Sequence, residues 1–271
     1  MIYVRPKKSL GQHFLTDTNI ARDIVEAANI TGDDAVVEIG PGNGILTRLL
    51  AERAKKVIAI EIDERLADGL KNDLAGFKNI ELLHADALQF PFEKIEGRFK
   101  VAANLPYYIT TPIIFHLLES RDKIVSMTLM MQKEVAERIA AKPGGKDYGV
   151  LSIAVQFYTE PLINFIVPSS AFYPKPKVES AVVSFSILKK RRVDVLDEGF
   201  FFKVVRAAFS QRRKTLRNAL KAANLPKTTD DALDSAFTKT GIDPKRRGET
   251  LSIAEFAKLA DQLATGSGLS G

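Results

Sequence analysis

The sequence predicts an α/β fold in two parts: a mostly parallel sheet flanked by helices over residues 1–188, then a smaller all-helical domain over residues 189–271. Three observations predict it. From Ala35 onward, short runs rich in Val and Ile alternate with amphipathic stretches, the pattern of parallel strands buried on both faces and joined by helical crossovers. The first of those runs ends in a glycine-rich turn, Gly40-Pro41-Gly42-Asn43-Gly44. Beyond Leu188 the strand-like runs stop and only helical periodicity remains.

Taken in order, the first fourteen residues form a basic arm carrying Arg5, Lys7 and Lys8. A helix follows, capped near Thr16 or Asp17, with Ile20, Ile24, Val25 and Ala28 at helical spacing. AVVEIG, VIAIEI, IELLHAD and FKVAANLPYY then read as four strands, the first three separated by helices through ILTRLLAERA and ERLADGLKNDL. IVSMTLMMQ, LINFIVP and SAVVSFSIL supply further strands, the last two as an antiparallel pair across a Pro-rich connection. Met127, Met130 and Met131 read as sheet core. After the solvated connection KKRRVDVLDEG come helices through FFKVVRAAFSQ, RRKTLRNALKAA, DDALDSAFTKT and SIAEFAKLADQL, and TGSGLSG reads as a frayed tail.

Composition removes several classes of chemistry. The absence of cysteine excludes disulfides, thiol nucleophiles and thiolate metal sites, and the three histidines, His13, His84 and His116, lack ligand spacing, so no metal is expected. No apolar run approaches the roughly 20 residues of a membrane span, and the N-terminus lacks the apolar core of a signal peptide. The expectation is a cytoplasmic protein with no membrane partner. Between Lys189 and Lys227 stand twelve basic against three acidic residues, a local balance more positive than the +6 of the whole chain.

The glycine turn closes a predicted strand and opens a helix, where backbone N–H groups and a helix N-terminus can meet a ligand. Ile45 stands where the dinucleotide fingerprint G-x-G-x-x-G needs its last glycine, which argues against a nicotinamide cofactor. Glu61, twenty-one residues beyond Gly40, ends the next strand where an acid can accept from both hydroxyls of a ribose. One strand later Asp86 can accept from an adenine amino group. Each element alone is common in structural turns. The ordered set, E-x-G-x-G-x-G followed by two strand-terminal acids, resembles the S-adenosylmethionine-dependent methyltransferases, in which these sites hold the methionine part, the ribose and the adenine.

At the end of the fourth predicted strand stands Asn104-Leu105-Pro106-Tyr107. The N6 amine of adenine is a poor nucleophile because its lone pair is delocalised into the ring. The Asn104 side-chain oxygen and the Leu105 carbonyl can accept its two N–H bonds and draw the nitrogen towards tetrahedral geometry, an effect of orientation and electrostatics rather than proton abstraction. Pro106 fixes its own φ and offers no competing N–H. Tyr107 offers a stacking face, and Phe172 from AFYPKPKVES can close the other side of the base. Taken alone, NLPY reads more readily as a strand-ending turn with Tyr107 and Tyr108 on the core. Its position three strands after the glycine turn, at the same sheet edge, favours the chemical reading.

The blocks KKSLGQHFL, VVEIGPGNGILT, IEID, HADAL, NLPYYITTPI, MMQKEVAERIAAKPGGKDYGVLS, FYPKPKVESAVV, AFSQRRKTLRNAL and RRGETLSIAEFAKLA together resemble the ribosomal RNA adenine dimethyltransferase family, in its bacterial small-subunit branch. The resemblance runs from about Lys7 to Leu263. It implies a Rossmann-like methyltransferase fold, S-adenosylmethionine as cofactor, and transfer of four methyl groups to two adjacent adenines near the 3′ end of 16S ribosomal RNA within the immature 30S subunit, by a monomer. It implies cofactor contacts at His13, Leu15, Gly40, Glu61, Asp86 and Asn104, with Gly42 in the same turn, and base contacts at Asn104, Leu105, Tyr107 and Phe172. His13 stands where some members carry Asn.

RNA contacts are expected from Arg5, Lys7 and Lys8 in the arm and from Arg212, Arg213, Lys214, Arg217 and Lys221, read as one helix face opposite Leu216 and Leu220. Such a charge run by itself is more often a solvated face. Two alternatives share these residues: the related branch that modifies one adenine of 23S ribosomal RNA, and a non-catalytic assembly factor that keeps the fold as an RNA-binding scaffold.

Overall fold

The computed structural model describes residues 5–7, 10–211, 213–226 and 228–266. Lys8 and Arg212, both expected to touch RNA, lie outside the described residues. Of the tail expected to fray, Thr265 and Gly266 belong to the last helix and the rest lies outside the description.

A short strand β1 (Phe14–Leu15) leads into α1 (Thr18–Ala27). Asp17 starts that helix by accepting from the N–H groups of Asn19 and Ile20, two of the donors a helix N-terminus leaves unsatisfied. Then come β2 (Ala35–Ile39), α2 (Ile45–Ala51), β3 (Lys56–Glu61), α3 (Glu64–Asp73), β4 (Ile80–His84), β5 (Phe99–Asn104), α4 (Thr110–Glu119) and β6 (Ile124–Gln132). Helices α5 (Lys133–Ala140) and α6 (Val150–Tyr158), strands β7 (Thr159–Val167), β8 (Phe172–Tyr173) and β9 (Ser180–Ile187), and helices α7 (Glu198–Phe209), α8 (Leu216–Ala222), α9 (Asp230–Thr240) and α10 (Ile253–Gly266) complete the order.

Seven strands form one sheet in the order β4-β3-β2-β5-β6-β9-β7. Strands β2 to β6 pair in parallel and β9 pairs antiparallel with β6. The chain moves outward from β2 to β4, then returns to lay β5 on the other side of β2. That reversal is a topological switch point, and beyond the carboxyl ends of the strands it opens a crevice that no crossover covers. The glycine turn follows β2 and Asn104 ends β5, so both face the same gap. Val36, Val57, Val101, Met127, Met130 and Met131 are fully buried, as strands covered on both faces require.

The chain divides into two compact units: Met1–Ala136 with Glu160–Ile187, and Glu137–Thr159 with Leu188–Gly271. The single break expected at residue 189 therefore has a companion earlier in the chain. Segment 137–159, expected with the sheet, packs instead in the core of the helical unit, where Ile153 and Phe157 join Phe201, Val204 and Phe256. The reason is the character of α6, VLSIAVQFY, which has little polar face to leave in water; the Phe157 ring stacks on Phe201 at 5.0 Å between centroids. The same lack of amphipathic contrast hides α6 from helical periodicity.

Candidate active site

A cavity of about 320 Å³ lies at the carboxyl ends of β2, β3, β4 and β5. His13, Leu15, Gly40, Gly42, Glu61, Asp86, Asn104, Leu105, Pro106 and Tyr107 all line it. Ten expected site residues spread over 95 positions of sequence thus meet in one place, within the sheet-bearing unit.

The turn after β2 is shaped by glycine where glycine is needed. Gly42 has φ +59°, and a Cβ there would sit 3.0 Å from the Phe14 ring. Gly44, at φ +75°, starts α2, and a Cβ there would meet Leu70 at 2.7 Å. Asn43 between them donates from Nδ2 to the Leu15 carbonyl (2.9 Å), fastening the N-terminal arm to the turn. The Leu15 side chain itself is core, so what it offers the cavity is main chain.

Glu61 is buried at the end of β3, and its two oxygens are held by two amides: Asp63 donates to Oε1 (2.9 Å) and Gly42 to Oε2 (3.2 Å). Burial raises its pKa and these amides pull it back. Asp86 accepts from the Leu88 N–H (2.9 Å), which orients its carboxylate at the end of β4.

Glu38, in β2, is a cavity residue that reading the sequence passed over as one letter of the glycine motif. It is 1% exposed, and burial, reinforced by the nearby charge of Glu61, pushes its pKa up to about 8. Its Oε2 has no hydrogen-bond partner among the described residues. The signal available in the sequence is an acid at a position of the buried run AVVEIG where a fully covered strand wants an aliphatic.

The NLPY segment is fixed at each position. The Asn104 Nδ2 donates to the His13 carbonyl (3.3 Å), which leaves Oδ1 for an incoming donor, and the Leu105 N–H is tied to the Met130 carbonyl (3.1 Å). The Pro106 carbonyl accepts from the Ile109 N–H (3.2 Å) and the Thr110 hydroxyl (3.3 Å). Tyr107 is anchored through its hydroxyl to Ser180 Oγ (2.8 Å), and its ring stacks on His13 with centroids 5.6 Å apart and planes at 30°. The His13 Nδ1 donates to the Pro174 carbonyl (2.6 Å), which fixes which ring nitrogen carries the proton.

Phe172 requires a correction. It is 4% exposed, packs in the core with Leu15, Ala21 and Val167, and does not line the cavity. In β8 it pairs with Leu15 while Tyr173 pairs with Phe14; alternation along the strand turns Phe172 inward and leaves Tyr173 54% exposed. Tyr108, read from sequence as possible core, is 53% exposed and lines the cavity.

The charge run in the helical unit also differs from expectation. Helix α8 begins at Leu216, capped by Thr215, so Arg213 and Lys214 lie in the preceding turn, exposed, rather than on the helix face. Arg217 makes a two-pronged pair with Asp234 (2.7 and 2.9 Å) and Lys221 pairs with Asp230 (2.6 Å). Those two cations are engaged with α9. In the arm, Arg5 is exposed, whereas Lys7 Nζ lies 3.1 Å from the buried Asp63.

The family model described as ribosomal RNA adenine dimethylase matches residues 4–265. Ribosomal RNA small subunit methyltransferase A of Moorella thermoacetica is 51% identical over 269 residues, covering 95% of this chain and 92% of the relative. The protein of the same name from Geobacillus thermodenitrificans is 52% identical over 267 residues, covering 95% and 90%. Among solved structures, a dimethyladenosine transferase from Plasmodium falciparum superposes with TM-score 0.80 at 30% identity, covering 91% of this chain and 96% of that one. The 23S rRNA methyltransferase ErmE superposes with TM-score 0.72 at 28% identity, covering 92% and 99%.

Proposed function

Because the chain belongs to the ribosomal RNA adenine dimethylase family, we propose that it transfers methyl groups from S-adenosylmethionine to the N6 amines of two adjacent adenines near the 3′ end of 16S ribosomal RNA. The observation that carries the reading is Asn104, an amide whose nitrogen is spent on the His13 carbonyl and whose oxygen is left at a cavity lined also by Glu61 and Asp86.

The residues of the cavity fit the cofactor. A buried carboxyl with an unpaired oxygen, Glu38, suits a ligand that carries positive charge, and Glu61 is already oriented by two amides for a ribose diol. The glycine turn at Gly40 and Gly42, with His13 and the Leu15 main chain, would hold the methionine part, Glu61 the ribose and Asp86 the adenine. When bound, the cofactor supplies a methyl group on positively charged sulfur, an electrophile that needs only an aligned lone pair.

Supplying that lone pair falls to the chain. Asn104 Oδ1 and the Leu105 carbonyl accept the two N–H bonds of the target amine, which draws its lone pair out of the purine ring and stabilises the positive charge that develops on nitrogen. No strong base is required, since the methylated nitrogen is acidic enough to lose its proton to water. Stacking of the extracted adenine on Tyr107 contributes about 1–3 kcal/mol, comparable with the few kcal/mol lost when a base leaves its stack. Tyr107 suits this because its hydroxyl and one ring face are already fixed by Ser180 and His13.

The substrate we propose is the immature 30S particle in the cytoplasm, met by a single copy of the chain, with Arg5, Arg213 and Lys214 offering charge to phosphates. Incubation of purified immature small subunits with tritiated S-adenosylmethionine, followed by nucleoside analysis, is expected to yield N6,N6-dimethyladenosine. Label that appears in naked 23S RNA but not in the particles would overturn this assignment.

A further inference from the structure

Asp63 has no place in the chemistry above, yet its side chain is wholly buried and richly bonded. It accepts from Lys7 Nζ (3.1 Å), Gln12 Nε2 (3.1 Å), and Arg65 Nε (3.0 Å) and Nη2 (2.6 Å). It also caps α3 through the Arg65 N–H (3.3 Å). The Arg65 guanidinium, opposed by burial and helped by Lys7 and Gln12, holds its pKa well below the usual carboxylate range. Starting α3 needs the cap alone. The bonds to Lys7 and Gln12 reach back 56 and 51 positions in sequence, to an arm that touches nothing in α3's own hydrogen-bond ladder.

What those two bonds hold is the edge of the cavity. Gln12 lines it, and its Oε1 accepts the Lys7 N–H (2.7 Å), so residues Lys7 and Gln12 close on each other and dock on Asp63 together. The next residues bridge to the opposite side: the His13 carbonyl takes the Asn104 amide and the Leu15 carbonyl takes Asn43. One strap thus runs from the Asp63 side of Glu61 to the NLPY side. Asp63 also reaches Glu61 directly, through its own N–H on Oε1.

We propose that Asp63 is a positioning residue for the methyl donor: by clamping Lys7 and Gln12 it sets the N-terminal strap over the donor pocket and orients the carboxylate of Glu61. The inference rests on the cofactor reading given above, and it makes donor affinity, more than the chemical step, depend on a carboxylate that touches neither donor nor base.

The test uses the full chain as wild type, Asp63→Asn, Lys7→Met and Lys7→Arg. Binding of S-adenosylhomocysteine is measured by calorimetry, amide hydrogen exchange is followed across residues 10–13 without ligand, and KM for S-adenosylmethionine is compared with kcat. Asp63→Asn replaces an acceptor by an amide facing donors from three residues, and is expected to weaken binding about tenfold, the low end of the scale for a hydrogen bond to a charged group. Lys7→Met removes one partly exposed clamp point and should cost about threefold, with Lys7→Arg near wild type. Both losses should appear in KM, with kcat nearly unchanged and faster exchange in the strap. If Lys7→Met keeps wild-type affinity and exchange, and Asp63→Asn weakens binding only as far as it lowers the melting temperature, Asp63 is a helix cap and the proposal is overturned. Failure of the wild type to bind S-adenosylhomocysteine would instead remove the cofactor reading itself, a result the exchange measurement does not depend on.

Discussion

Surface ion pairs occur in both units, but among the described residues the buried carboxylates all belong to the sheet-bearing one. In that unit amides hold Glu61, cations hold Asp63, and one oxygen of Glu38 has no hydrogen-bond partner among the described residues. In the helical unit the acids and bases meet near the surface in pairs: Arg217 with Asp234, Lys221 with Asp230, Arg246 with Glu255. Burying a charge costs free energy that only a ligand or a network recovers, so the first pattern marks a site. Surface pairs contribute little to stability, and the second pattern marks cations already satisfied within the fold. The contrast separates residues that perform chemistry from residues that merely carry charge.

The largest effect should come from Asn104, the half-buried amide that shares the cavity with Glu38 and Glu61. Asn104→Ala removes one of two acceptors for the target amine, and losing one group that stabilises developing charge costs about 100- to 1000-fold in kcat. RNA affinity, measured by filter binding, should stay within a few-fold. Near-normal turnover would show that the buried polar groups of this cavity do not define the reaction, and the contrast between the units would lose its meaning.

A second test concerns Glu38, the buried carboxyl with one oxygen unpartnered among the described residues. The pKa of Glu38 stands at about 8 in the folded chain against an ordinary 4.5. Between those values the folded protein retains a proton that the unfolded chain has released, so unfolding becomes easier as pH rises through that window, by up to about 1.4 kcal/mol per pH unit. Below pH 4.5 the group is neutral in both states and contributes no slope. Glu38→Gln removes the penalty, and its melting temperature without ligand should fall less between pH 5 and pH 8 than that of the wild type. Equal slopes in a thermal-shift series would mean that Glu38 is not the strained member of the cavity.

The same contrast explains what could be read in advance. The parallel sheet is legible because Val- and Ile-rich runs separated by helical spacers read as strands joined by crossovers, and Glu61, Asp86 and Asn104 stand out because each ends such a run. Periodicity could not see α6, whose apolar character matches a strand, nor its allegiance to the helical unit, which depends on Phe157 meeting Phe201 far along the chain. The side that Phe172 faces is not legible in the sequence, because two residues are too short a strand to reveal which side turns inward; the pairing with Leu15 decides it. Asp63 carries no motif at all, since its partners Lys7 and Gln12 approach through tertiary structure.

The smallest expected effects test the second pattern from within. Arg213 and Lys214 are exposed in the turn before α8, whereas Arg217 is committed to Asp234 by two bonds. If phosphates are met by cations that the fold has left unspent, the double variant Arg213→Ala with Lys214→Ala should weaken RNA binding several-fold. It should also reduce the dependence of log affinity on log salt by between one and two, roughly 0.7–0.9 for each phosphate no longer neutralised. Arg217→Ala should change RNA affinity less, and should register instead as a drop of at most a few degrees in melting temperature, because an exposed ion pair adds little. The reverse ranking, with Arg217→Ala flattening the salt dependence while the double variant leaves it intact, would mean that the α9 acids release their partner to RNA. Pairing within the fold would then be no guide to which basic residues bind.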